Sequence, residues 1–140
     1  MIQAKTVHHL GIAVHSIAEQ RAFYETVLGA QFEGIEEVAE QKVRVAFFRF
    51  GAIDGGVRIE LLEPTSADSP IARHLEKRGP GLHHVAYEVS DLKSRLEAIK
   101  RAGLRVIDEN PRPGAHHMQI AFLHPHATQG VLTELCEPQG

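Results

Sequence analysis

The chain has 140 residues, 43% of them hydrophobic, which suits one domain or two small halves sharing a core. A formal net charge of −3 gives no general attraction to nucleic acid or an anionic membrane, so neither is expected as a partner. Cys136 is the only cysteine, which excludes an intrachain disulfide; no stretch is long and apolar enough to span a bilayer, and the opening Met-Ile-Gln-Ala-Lys lacks a signal-peptide layout, so a cytoplasmic protein is expected.

Residues 6–14 alternate and are rich in β-formers, predicting a strand. Ser16-Ile-Ala-Glu19 then has capping-box spacing, and Ile17, Phe23, Tyr24, Val27 and Leu28 supply a broad apolar helical face that Gly29 ends. Residues 36–38, 42–50 and 56–62 read as strands, with Gly51-Ala-Ile-Asp-Gly-Gly56 as the turn between the last two. Ser69-Pro70 opens a short helix to Lys77 within the connector of residues 65–80. A strand follows at 81–89, and Asp91 caps a helix through Leu92, Leu96, Ile99 and Ala102 that Gly103 ends. Residues 105–108, 118–123 and 130–136 complete the strands. A strand-helix-strand-strand-strand unit therefore occurs twice, at about 6–64 and about 81–138, in an α+β fold whose two sheets are expected to curve into one incomplete barrel.

The two units also repeat in sequence. Thr6-Val-His-His-Leu-Gly-Ile-Ala-Val14 returns as Gly81-Leu-His-His-Val-Ala-Tyr-Glu-Val89, and Ile59-Glu-Leu-Leu-Glu-Pro64 as Thr133-Glu-Leu-Cys-Glu-Pro138. His9 and His84 lie 75 positions apart, but Glu60 and Glu134 only 74, so the second unit has lost one residue between the motifs. The end of its helix is the expected place. Strand alternation puts His9, Gly11 and Ala13 on one face, and His84, Ala86 and Glu88 on one face, each with small neighbours. Glu60 stands between apolar residues, where an ionised carboxylate is costly to bury unless a cation pairs with it. Any one of these residues taken alone reads as a solvent-facing strand residue, and only their recurrence at duplicate positions favours a metal. Two imidazoles and two carboxylates at duplicate positions make a divalent-metal site.

These segments resemble the vicinal oxygen chelate superfamily and, within it, the methylmalonyl-CoA epimerase family. Asp68-Ser-Pro-Ile71, His74-Leu-Glu-Lys-Arg-Gly79 and Ala121-Phe-Leu-His-Pro125 carry the narrower likeness. The resemblance implies paired βαβββ modules forming a cupped sheet, a homodimer, an acyl-CoA substrate, and metal ligands at His9, Glu60, His84 and Glu134. It implies epimerisation of (R)- and (S)-methylmalonyl-CoA by metal-assisted proton abstraction through an enediolate. Four protein ligands leaving two open positions point to Co²⁺, with Mn²⁺, Mg²⁺, Ni²⁺ or Zn²⁺ as alternatives. The rival activities are a glyoxalase-I-like lyase and a non-catalytic antibiotic-binding protein of the same fold.

One departure concerns proton transfer. Some family members carry a glutamate where this chain has Val45. Glu134 matches the other acid/base position, and Glu60, its duplicate, is the remaining catalytic candidate. His8 and His83 are expected to be structural, and His124 to orient a loop or serve behind the ligands. His116-His117 reads as a solvated loop pair. Arg73, Lys77, Arg78, Lys100 and Arg101 read as solvated helix faces rather than contacts to CoA phosphates.

Overall fold

The computed structural model describes residues 3–51 and 56–139. In chain order these hold β1 (Thr6–Ala13), α1 (Ile17–Ala22) running into a π-helical turn (Phe23–Val27), β2 (Gln31–Val38), β3 (Val43–Arg49), β4 (Arg58–Pro64), α2 (Pro70–Arg78), β5 (Gly81–Glu88), α3 (Leu92–Arg101), β6 (Arg112–Pro113), β7 (Met118–Leu123) and β8 (Thr133–Pro138). The βαβββ order is thus present twice in an α+β chain. The turn expected at residues 51–56 falls mostly on 52–55, outside the described residues.

Two compact units divide the chain, His9–His83 and Met1–His8 with His84–Gly140. In the first, the strand order is β2-β3-β4-β1, with β1 and β4 parallel and the other pairs antiparallel. In the second it is β5-β8-β7-β6, with β5 and β8 parallel. The registers repeat as well as the order. Glu60 stands opposite Gly11 and Phe47, and Glu134 opposite Ala86 and Phe122. The small residues read from the sequence therefore flank both glutamates.

One face of each unit's sheet packs beneath its helix. Ile17, Ala46, Phe48 and Leu61 form that core in the first unit, and Leu92, Leu96, Ile99, Ala121 and Leu135 in the second. The helices start as the caps predict. The Ser16 hydroxyl accepts from Glu19 N at 3.2 Å, the Ser69 hydroxyl from Ile71 N at 3.1 Å, and the Asp91 carboxylate from Ser94 N at 3.4 Å. A second clamp spans the fold. Glu63 Oε1 accepts from Ile17 N at 2.8 Å, and Glu137 Oε1 from Leu92 N at 2.9 Å. The last glutamate of each repeated Glu-Leu-x-Glu-Pro motif thus caps the helix of its own unit.

Three elements add to or differ from expectation. First, the single residue by which the units differ lies in the helix, the expected place, where the first unit carries a π turn. The Leu28 N–H reaches back five residues to the Phe23 carbonyl at 3.1 Å, closing a π-helical turn, whereas Leu92–Arg101 is α-helical throughout. A π turn is how a helix absorbs one extra residue without losing its flanking register. Second, β2 begins at Gln31, because a bulge between Phe32 and Ile35 hides its alternation; Gly34 has φ 112° there. Third, residues 105–108 are not a strand: only Val106 bridges Leu123, and the edge strand is Arg112–Pro113. Asp108 replaces the ladder locally, its carboxylate accepting from Phe122 N at 2.8 Å, and prolines 111 and 113 bring no N–H to extend one.

Candidate metal centre

Each unit buries a histidine beside a glutamate. In the first, His9 on β1 and Glu60 on β4 approach to 3.3 Å between Nδ1 and Oε2. In the second, His84 on β5 and Glu134 on β8 approach to 3.5 Å between Nε2 and Oε1. His9, Glu60, His84 and Glu134 keep only 4%, 6%, 5% and 5% of their surface exposed, so none of them is a solvent-facing strand residue. Parallel pairing of the first and last strands of each unit brings each His–Glu pair together from distant sequence.

The faces carrying these pairs are rich in apolar side chains. Phe122, across from Glu134, stacks edge-on against His84 with ring centroids 5.5 Å apart, and packs with Ala86, Met118, Ile120 and Cys136. Phe47, Val45 and Leu62 share the Glu60 face and are buried. This environment acts on ionisation. Burial first, and the Glu36 charge second, push Glu60 up to about 8, with Arg58 pulling the other way. A carboxyl so placed keeps its proton near neutrality unless a cation takes the proton's place. The donor chemistry fits a divalent ion; His8 joins His9 and Glu60 in one group of donors that could hold one, and His84 and Glu134 belong to a second group.

His8, expected to be structural, offers a donor atom beside those of His9 and Glu60; His83, His116, His117 and His124 lie elsewhere. His83 stacks edge-on against His74 of α2 at 5.0 Å, and burial, with the His74 charge behind it, lowers its pKa to about 4. His124 Nδ1 accepts from His126 N at 3.0 Å and so shapes its own loop. His116 and His117 are exposed, both with left-handed backbone (φ 57° and 55°), directly before β7. Lys42 (φ 54°) occupies the same place before β3. Arg73, Lys77, Arg78 and Arg101 are exposed, and Lys100 pairs with Glu97 at 2.8 Å and Glu109 at 3.4 Å.

Two features of these sheets have no clear signal in the sequence. Glu63 and Glu137 were visible only as parts of the repeated motif, since their capping partners lie 46 and 45 residues away. Glu36, on β2 directly opposite Val45, was read only as a strand residue. Its position became informative once the β2–β3 register was known.

Comparison with known proteins bears on all of this. The family model described as Glyoxalase/Bleomycin resistance protein/Dioxygenase superfamily matches residues 8–122. An uncharacterised protein of Bacillus subtilis is 51% identical over 94% of this chain and 91% of its own length. The ethylmalonyl-CoA/methylmalonyl-CoA epimerase of Cereibacter sphaeroides is 37% identical over 92% of this chain and 95% of its own. A variant of Streptomyces coelicolor methylmalonyl-CoA epimerase, solved with 2-nitronate-propionyl-CoA, superposes with a TM-score of 0.92 at 34% identity, covering 99% of this chain and 100% of the other. With the duplicated His–Glu pairs and the paired βαβββ units already in place, these matches make the chain a member of the glyoxalase/bleomycin resistance protein/dioxygenase superfamily.

Proposed function

We propose that the chain interconverts (R)- and (S)-methylmalonyl-CoA by removing and returning the proton at C2. The observation that carries this reading is the buried His–Glu pair present once in each unit, in a chain that matches epimerases along nearly its whole length. His9, Glu60, His84 and Glu134 are the proposed ligands of one divalent ion, Co²⁺ before Mn²⁺, Mg²⁺, Ni²⁺ or Zn²⁺. When bound, the ion supplies Lewis acidity to the thioester carbonyl and the carboxylate that flank C2.

The chain's own residues do the rest. The four donors fix the place where the substrate oxygens sit, and Phe47 and Phe122 cover the carboxylates beside them and keep water out. Glu134 is the proposed acid/base group on one side of C2. Glu60, related to it by the duplication, is the symmetric candidate for the other side, although coordination to an ion lowers a carboxylate's basicity. Val45 cannot move a proton.

A homodimer and a cytoplasmic location complete the proposal. Phe23, Val27 and Leu28, exposed along one helical turn, are apolar surface of the kind a second copy covers. None of the described helices is long and apolar enough to cross a membrane.

Metal-loaded protein given (S)-methylmalonyl-CoA should yield the (R) epimer, followed by chiral analysis of the hydrolysed acid. The methylglyoxal–glutathione hemithioacetal should pass through unchanged. Turnover of that adduct with no epimer formed would assign the site to a glyoxalase-type isomerisation. Binding of the CoA ester with no turnover of either would make it a binding protein.

A further inference from the structure

We propose that Glu36 is a catalytic residue of this epimerisation, exchanging the C2 proton on one face of the substrate; the assignment rests on the epimerase reading above. The β3 position where some members of the family hold a carboxylate is Val45 here, and the cross-strand register shows where the nearest replacement lies. Val45 stands directly opposite Glu36 on β2 and Leu62 on β4. Directly opposed residues of an antiparallel pair share a face. Phe47, two residues from Val45, is opposite Glu60, so Glu36, Val45, Phe47, Leu62 and Glu60 all project from one side of the sheet.

The flanking residues agree. Glu37 faces the other way, pairing with Arg44 at 3.6 Å, and Arg44 in turn reaches Glu63 on the helix side. Ala46, opposite Ile35, belongs to the core beneath the helix. Glu36 is therefore the acidic side chain in the row of Val45, displaced outward by one strand, about 4.8 Å. Val45 is short and 3% exposed, so neighbouring side chains already cover it.

Glu36 has what the task needs. It is half-buried, so it sits at the edge of the apolar face yet can trade its proton with solvent. Its charge is felt at Glu60, so the two carboxylates share one electrostatic neighbourhood. It lies outside the proposed ligand set, so no ion is coordinated to it and its basicity is lowered less than that of Glu60. The duplication does not supply this group. In the second unit Ile120 takes the place of Val45, and its partner on the edge strand is Arg112, a cation.

The step balances without a co-reactant. The C2–H bond breaks and its proton passes to the Glu36 carboxylate. The electron pair forms a double bond to the thioester carbonyl carbon, and the carbonyl π pair moves onto oxygen. A proton delivered to the opposite face of C2 gives the other epimer. In reverse, protonated Glu36 is the donor.

The test uses full-length, metal-loaded protein and Glu36→Gln, which keeps the shape but cannot carry the proton. Interconversion should fall by about 10²–10⁴-fold. In D₂O, exchange should persist from one epimer and vanish from the other, while calorimetry gives metal affinity within about two-fold of wild type. Adding Val45→Glu to Glu36→Gln should recover at least about ten-fold of the lost rate, because it returns a carboxylate to the same row. Interconversion by Glu36→Gln at the wild-type rate, or equal loss of exchange from both epimers together with metal affinity, would overturn the assignment. So would a folded, metal-loaded double variant that recovers nothing. Loss in Glu60→Gln with Glu36→Gln unaffected would move the role to Glu60 and leave the epimerase reading standing. A wild-type protein that produces no epimer would sink that reading, and Glu36 with it.

Discussion

Glu60 and Glu63 come from one motif yet do opposite jobs, because three positions along a strand reverse the face a side chain takes. Glu60 turns to the buried histidine, and Glu63 turns to the start of α1. Glu134 and Glu137 repeat the division. If the inner pair binds metal, Glu60→Ala and Glu134→Ala should each weaken divalent-ion affinity by more than the about 10–100-fold that losing a supporting residue costs, read by titration calorimetry. Equal affinity in both variants and wild type would remove them from the ligand set. His83 offers a separate check on residue-level physics. Its pKa is lowered to about 4 from 6.5, so the folded state resists the proton that the unfolded chain accepts. That stability is intact above pH 6.5 and is lost as pH falls from 6.5 through 4, up to about 3 kcal/mol in all. Thermal melts of His83→Gln should show a weaker decline over that window than wild type. The paired His and Glu were legible from sequence because duplication singled them out. The caps made by Glu63 and Glu137 were not, because a side chain contacting a helix some 45 residues away leaves no local signal.

At the scale of elements, most of each unit followed from alternation, caps and turn residues, and the misses have physical causes. The bulge at Gly34 broke the period-two pattern of β2, so only its last residues were readable. The segment 105–108 has a strand's composition, but Asp108 occupies the Phe122 N–H and so takes the place of a ladder bond. The extra residue of the first unit was placed at the helix by counting glycines; that it is absorbed as a π turn follows only from the hydrogen bond of Leu28 to Phe23. Deleting one residue within Phe23–Val27 should therefore convert this turn to α-helix, leaving β1 and β4 in register. Protection of their amides from exchange should match wild type, whereas a one-residue deletion inside β4 should abolish it. The helix clamps make a second prediction. Glu63→Ala and Glu137→Ala each remove a charged acceptor from a helix start, costing about 1–3 kcal/mol in denaturant unfolding. Glutamine at either position should restore part of this loss.

For the whole molecule, duplication puts one buried imidazole beside one buried carboxylate in each unit, and the proposed function calls on both pairs. The charged neighbours of this row do not follow that symmetry: Val45 and Ile120 occupy equivalent positions, but Glu36 lies beside one and Arg112 beside the other. An epimerase must handle both faces of one carbon, and unequal machinery on the two sides is compatible with that. The central claim is that the buried His–Glu pairs together hold an ion that makes the C2 proton of an acyl-CoA exchangeable. The direct measurement is NMR of methylmalonyl-CoA incubated with the protein in D₂O, with Co²⁺ and then with excess chelator. Loss of the C2 proton signal with Co²⁺, at a rate well above that of enzyme-free solution and abolished by chelator, is the predicted result. Exchange no faster than the enzyme-free solution in the presence of bound Co²⁺, or exchange unaffected by chelator, would contradict it.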